Sequence, residues 1–253
     1  MAPQDRTVLV TGASSGFGAA IARRYAAEGA RVVAAARRVD RIEELAAAAG
    51  GRVLPIVLDV RDGDAVRRAV ADLPDEYARI DVLVNNAGLA KGLEPAHRTD
   101  LADWDEMLDT NCRGLVHCTH AVLPGMVERG RGHVVNLGSV AATYPYPGGN
   151  VYGATKAFVR QFSLNLRSDL HGTGVKVTCI EPGMCEGTEF SLVRFRGDAE
   201  RAGAVYSGLQ ALTAEDIAEA VRWATAQPAH VNVNVIELMP VAQSFAPFQV
   251  HRS

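Results

Sequence analysis

Thr7-Val-Leu-Val-Thr-Gly-Ala-Ser-Ser-Gly-Phe-Gly18 is the stretch on which the fold turns. Thr7 to Val10 is a continuous apolar run, the pattern of a strand covered on both faces in a parallel sheet. Gly12 to Gly18 is rich in glycine, and Ala19 to Glu28 then reads as a helix ended by Gly29. A buried strand that passes through a glycine turn into a helix is the opening of a βαβ unit.

The same alternation continues outward. Strands are expected at Arg31 to Ala36, Val53 to Leu58, Ile80 to Val84, His133 to Leu137, Val175 to Ile180 and Asn232 to Met239. Helices are expected at Val39 to Ala49, Asp64 to Leu73, Leu101 to Val127 with a break near Thr110 or Gly114, Val151 to Leu170, and Ala214 to Ala226. This spacing predicts an α/β Rossmann fold: one domain over residues 1–253, with a doubly wound, seven-stranded parallel sheet and helices on both faces. Pro55 falls inside the third strand, and proline is tolerated at a sheet edge. That placement favours the strand order 3-2-1-4-5-6. Residues 184–213 show little periodicity and follow the sixth strand, where open α/β sheets bind ligands. They read as a substrate loop in preference to a floppy insertion.

With 253 residues, 48% hydrophobic content and net charge −3, the chain has the composition of a soluble globular protein, with no basic excess for a nucleic-acid surface. No apolar run approaches the ~20 residues of a membrane span. The N-terminus enters the first strand without the apolar core of a signal peptide. Cys112, Cys118, Cys179 and Cys185 form no Cys-x-x-Cys pair and read as free thiols of a reducing cytoplasm. His117 and His120 share a helical face, but no carboxylate or cysteine cluster joins them, so no metal site is assigned. His97 and His133 sit near strand ends and are given no role.

In the turn, Gly12, Ser14, Ser15, Gly16, Phe17 and Gly18 would let backbone approach a pyrophosphate at a helix N-terminus. The glycine spacing is Gly-x3-Gly-x-Gly. An NAD site places an acid at the end of the second strand, whereas Ala36-Arg37-Arg38 stands here with no acid before Asp40. Two guanidinium groups favour a 2′-phosphate, hence NADP(H). Asp59 and Val60 after the third strand are candidate adenine contacts. Asn86, Ala87 and Gly88 after the fourth, and Pro182 and Gly183 after the sixth, fall on the same sheet edge.

Tyr152 and Lys156 are four residues apart and share a helical face. A cation beside a phenol favours the phenolate, lowering the pKa from about 10 and making Tyr152 a candidate proton donor. Ser139 precedes it by thirteen residues. The plainer alternative is a packed ring beside a solvated lysine.

Together these residues resemble the short-chain dehydrogenase/reductase family. The matching motifs are Thr-Gly-x3-Gly-x-Gly at 11–18, Asn-Asn-Ala-Gly at 85–88, Asn111, Ser139, Tyr152-x3-Lys156 and Pro182-Gly183, in the family's order over nearly the whole chain. Several stretches are similar to its NADP-dependent 3-hydroxy acid dehydrogenases, also described as serine or L-allo-threonine 3-dehydrogenases and malonic semialdehyde reductases. These are residues 86–90, 94–97, 148–163, 187–191 and 193–198, and the tail Val250-His251-Arg252. Cys185-Glu186 departs from the small or apolar residues expected in the loop.

The resemblance implies a homotetramer and hydride transfer between NADP and the 3-hydroxyl carbon of a small acid. It implies Tyr152 as acid or base, Lys156 as its activator and a ribose contact, Ser139 on the substrate oxygen, Asn111 on a water-linked proton path, and Thr188 among the cofactor contacts. Arg194 and Arg196 are candidates for the substrate carboxylate, with Arg194 ahead, or else surface or subunit contacts. Tyr144 and Tyr146 wall the pocket or belong to the core. The competing readings are a reductase of another small anionic aldehyde, such as sulfoacetaldehyde, and a non-catalytic NADP-binding regulator. The presence of Asn111, Ser139, Tyr152 and Lys156 together argues against the regulator.

Overall fold

The computed structural model describes Gln4 and residues 6–245; the tail match at Val250-His251-Arg252 lies outside the described residues. β1 (Thr7–Thr11) is buried along its whole length and pairs in parallel with β2 (Arg31–Ala36) on one side and β4 (Val82–Asn85) on the other. β3 (Val53–Val57) extends the sheet beyond β2, while β5 (Gly132–Leu137), β6 (Val175–Pro182) and β7 (Val235–Leu238) extend it beyond β4. The order is β3-β2-β1-β4-β5-β6-β7, all parallel. β3 is an edge strand, as Pro55 requires.

Side chains alternate across each strand. Val8, Val10, Val32 and Ala34 face one side, with Ile21 and Tyr25 of α1 (Gly16–Ala27) and Ile217 and Val221 of α9 (Ala214–Ala226). Leu9, Val33, Leu83 and Val134 face the other, with Val66 of α3 (Gly63–Ala71), Met126 of α5 (Leu115–Glu128) and Leu166 of α6 (Asn150–Asp169). α2 (Val39–Ala48) adds Ile42 and Leu45 to the first core. At roughly 1.5–3 kcal/mol for each large apolar side chain, these two layers dominate the favourable side of folding.

β7 starts three residues later than the alternation suggests. The amide of Asn232 accepts from Val177 N at 2.9 Å and donates to Val177 O at 2.9 Å, so a side chain replaces the first ladder partner. α9 begins at the expected Ala214 because Thr213 and Asp216 form a reciprocal capping box.

The expected break in the fourth helical region is a π-helical stretch, Asp109–Gly114, between α4 (Leu101–Leu108) and α5. Gly114 is needed there, since a Cβ would lie 2.5 Å from Val60 Cγ2. Residues 184–213 are folded, with α7 (Phe190–Arg194) and α8 (Ala199–Ala204) between a base closed by Glu186 N to Leu212 O (2.9 Å) and Leu212 N to Met184 O (3.0 Å).

Candidate active site

The sheet's carboxyl edge opens where the chain leaves β1 for α1 and β4 for the next segment. Gly12 has φ +67, and a Cβ on it would lie 2.9 Å from Ala87 Cα. A Cβ on Gly18 would collide with the carbonyl oxygen of Gly12. Asn86 braces this turn by donating to Thr11 O (2.9 Å) and Gly12 O (3.3 Å), while Thr11 Oγ1 accepts from the backbone N of Asn86 (3.1 Å) and Ala87 (3.0 Å). Ser15 is the N-cap of α1 but its side chain makes no capping bond, which leaves the helix start to an anion.

A cleft of about 330 Å³ runs from this turn to Tyr152 and Lys156. Gly12, Ser14, Ser15, Gly16 and Phe17 line its phosphate end, with Arg37 and Arg38 at the end of β2. Asp59, Val60, Ala87, Gly88 and Thr188 line the rest. Asp59 is held by Arg61, whose Nη2 donates to it at 2.6 Å and keeps its carboxyl below the usual range. The size, the uncapped helix start, the glycine cradle and the two arginines fit an elongated, doubly anionic dinucleotide carrying a further phosphate.

A second cavity of about 400 Å³ adjoins the first, and Tyr152 lines both. Ser139, Tyr144, Tyr146 and Arg194 line this second space, so both precatalytic tyrosines are pocket walls. Pro182 and Gly183, expected beside the cofactor, line the second cavity and not the first cleft. β6 runs on through Pro182, and Gly183 is fixed by its own N–H to Leu238 O at 2.8 Å.

α6 carries Tyr152 and Lys156 on its buried face. Nζ of Lys156 donates to Leu137 O at 2.8 Å and lies 5.8 Å from the centre of the Tyr152 ring. Burial pushes Lys156 down to about 8. Burial raises the Tyr152 phenol, against the expectation that Lys156 lowers it; the groups that pull it back are the Arg194 guanidinium and a hydrogen bond with Ser139. Desolvation outweighs the charges at a side chain this buried. Ser139 Oγ also accepts from Ala141 N at 3.1 Å and donates to Pro182 O at 3.4 Å.

Asn111 projects inward from the π-helical stretch and lines neither cavity. Its side chain accepts from Leu89 N (2.9 Å) and donates to Leu89 O (2.9 Å) and Thr155 Oγ1 (3.0 Å). Gly88 separates it from Lys156: a Cβ there would lie 3.2 Å from Asn111 Oδ1 and 3.7 Å from Lys156 Nζ.

Arg194 ends α7 and reaches back over the second cavity. Nη2 donates to Tyr146 OH at 3.0 Å, and the guanidinium lies 4.7 Å from the Phe190 ring centre and 5.2 Å from that of Tyr152. Its buried Nε has no partner. Arg196 pairs instead with Asp103 of α4 at 2.7 Å, outside the cavity. Sequence reasoning missed Glu189, Phe190 and Tyr206, which also line these spaces. For Glu189 and Phe190 the stretch Gly187 to Ser191 held the signal, but without periodicity it did not say which side chains turn inward; nothing in the sequence singled out Tyr206.

His117 Nδ1 sits 3.1 Å from Val60 O, a structural contact. Among the described residues no group of three or more His, Cys, Asp or Glu is arranged to hold a metal ion, and no helix is long and apolar enough to cross a membrane.

Residues 6–196 match the short chain dehydrogenase family. The chain is 61% identical over 246 residues to an NADP-dependent 3-hydroxy acid dehydrogenase of Salmonella typhimurium, covering 97% of this chain and 99% of that one. It is 56% identical over 246 residues to a serine 3-dehydrogenase of Agrobacterium fabrum, covering 97% and 98%. A structure of serine dehydrogenase in its closed form, complexed with NADP+, superposes with a TM-score of 0.97 at 57% identity, covering 98% of this chain and 100% of that chain. Matches of this extent, on a sheet of this order with its glycine turn at the β1 end, place the chain in the short chain dehydrogenase family.

Proposed function

We propose that this protein is an NADP-dependent oxidoreductase acting on the 3-position of a small 3-hydroxy or 3-oxo acid, of the serine, L-allo-threonine or 3-hydroxypropionate/malonic semialdehyde type. The observation that carries this reading is the position of Tyr152 between the two cavities, with Lys156 on the cofactor side and Ser139 and Arg194 on the other. The activities of the similar proteins and their NADP dependence support it.

When bound, NADP(H) supplies hydride to, or takes it from, the carbon that bears the reacting oxygen. The Tyr152 hydroxyl gives the proton to that oxygen in reduction and takes it back in oxidation. Ser139 holds the oxygen in line with the phenol and stabilises charge developing on it. Lys156, fixed by Leu137 O, holds the nicotinamide ribose and carries positive charge beside the phenol. Asn111 pins the segment at Leu89 to α6 through Thr155, and so sets the floor under Lys156 and the water path to it. Arg194 takes the substrate carboxylate through its unpartnered Nε and the adjacent N–H groups. Glycine turn, Arg37, Arg38, Asp59, Val60 and residues 86–88 hold the rest of the dinucleotide, and residues 184–213 close over the substrate.

A homotetramer in the cytoplasm completes the proposal. Phe158 and Leu164 of α6 and Leu101 and Leu108 of α4 are exposed apolar side chains suited to subunit contact. Four thiols without disulfides suit a reducing compartment. The test is a substrate panel, following NADPH absorbance with L-serine, L-allo-threonine, 3-hydroxypropionate, malonic semialdehyde and sulfoacetaldehyde. Turnover of the 3-hydroxy acids with NADP supports the reading. Turnover of sulfoacetaldehyde alone moves it to another anionic aldehyde.

A further inference from the structure

Arg38 does not wait with open donors for a phosphate. Its Nε donates to Ser14 Oγ at 3.2 Å, and its Nη2 reaches Ser14 Oγ at 3.0 Å and Ser15 Oγ at 2.9 Å. Its Nη1 and Nη2 together grip the Glu189 carboxylate at 3.1 and 2.7 Å. A guanidinium has five N–H groups, one on Nε and two on each Nη. Both of its two-pronged edges are therefore engaged, one by the serines of the phosphate turn and one by Glu189. The second edge is the geometry that takes two oxygens of a phosphate.

Glu189 is tied to this position by its place in the chain. It directly precedes α7, and the neighbouring Thr188 sits so close to the turn that a Cβ on Gly16 would lie 3.3 Å from Thr188 Cβ. The carboxylate thus lies on the rim of the cofactor cleft, over the same guanidinium that the double-arginine reading assigns to the 2′-phosphate.

We propose that Glu189 is a coenzyme-selectivity residue whose carboxylate competes with the 2′-phosphate of NADP(H) for Arg38. The proposal rests on the NADP reading of Arg38. A cofactor without the 2′-phosphate leaves the Arg38–Glu189 pair in place. A cofactor with it must displace or share the carboxylate, against the repulsion of two anions on one cation. Arg41, close enough to favour the ionised Glu189, offers the displaced carboxylate a second partner.

The test is calorimetric binding of NADPH and NADH to the full protein and to Arg38→Ala, Glu189→Gln and the double variant. Because the pair is half exposed, Glu189→Gln is expected to tighten NADPH by about two- to fivefold while moving NADH by less. In the Arg38→Ala background the same substitution is expected to have no effect on NADPH. Unchanged or weaker NADPH binding in Glu189→Gln, an equal change for both cofactors, or a persisting effect without Arg38 would overturn the proposal. If Arg38→Ala fails to weaken NADPH relative to NADH, the phosphate reading of Arg38 falls first, and this inference with it.

Discussion

The guanidinium carbon of Arg194 lies 5.2 Å from the centre of the Tyr152 ring, nearer than Nζ of Lys156 at 5.8 Å. The phenol is thus flanked by cations from two elements: α6 supplies one and the loop after β6 the other. Burial raises the phenol, and the charge opposing that rise comes first from Arg194. On the proposed reading, a substrate carboxylate drawn to Arg194 would neutralise part of the field on Tyr152 as it binds.

Arg194→Ala is expected to raise KM for 3-hydroxypropionate by roughly ten- to hundredfold, the size of a lost hydrogen bond to a charged group. It also removes the leading influence that favours the phenolate, so the Tyr152 pKa rises. The ascending limb of the oxidative pH–rate profile should then move to higher pH. An unchanged KM together with an unmoved limb would remove Arg194 from the site.

Arg37→Ala with Arg38→Ala is expected to lower the NADP-to-NAD ratio of kcat/KM by at least tenfold, as two charge-assisted contacts at roughly 1.5–3 kcal/mol each would allow. Steady-state rates with both cofactors check it. A constant ratio would place the 2′-phosphate elsewhere.

Gly18→Ala drives a methyl group into the Gly12 carbonyl, which is backbone and cannot swing aside. It should cost about 1–3 kcal/mol of stability and weaken the binding of either cofactor. Gly203→Ala in α8 meets nothing within 4 Å and serves as the unstrained control, expected to keep or slightly raise stability. Thermal melts and cofactor titrations on the two variants make the comparison, and equal behaviour would contradict the close-approach argument.

His133 carries a stability prediction. Thr178 Oγ1 spends its hydrogen on Val233 O at 2.7 Å, so it accepts from His133 Nε2 at 2.7 Å, and the buried Nδ1 is left bare. Burial, with Lys176 and Arg6 nearby, lowers the His133 pKa from 6.5 to about 3. The unfolded chain takes up this proton below 6.5 while the folded chain refuses it until about 3. Stability from this residue is therefore complete above 6.5 and declines as pH falls, by about 2 kcal/mol at pH 5. His133→Gln should flatten the fall in urea midpoint between pH 7 and pH 5, and an unaltered slope would refute the assignment.

Much of this architecture was legible in the chain because it depends on short-range pattern. The apolar run at Thr7 to Val10, the glycines of the turn and Pro55 at the sheet edge each act within a few residues. What the sequence hid depends on distant partners. Asn232 shortens β7 only because Val177 lies beside it. Glu189 finds Arg38 across 151 residues of chain. Lys156 four residues from Tyr152 suggested a lowered phenol, but the desolvation that overrides it follows from the burial of the ring in the fold, which spacing does not report.

On the proposed mechanism Tyr152 moves the proton. The most direct test is single-turnover oxidation of bound NADPH by malonic semialdehyde in the wild type and in Tyr152→Phe, with NADPH affinity measured on the same samples. The rate in Tyr152→Phe is expected to fall below a few percent of wild type, with NADPH binding retained. A variant that binds NADPH normally and keeps more than that fraction of the rate would contradict it.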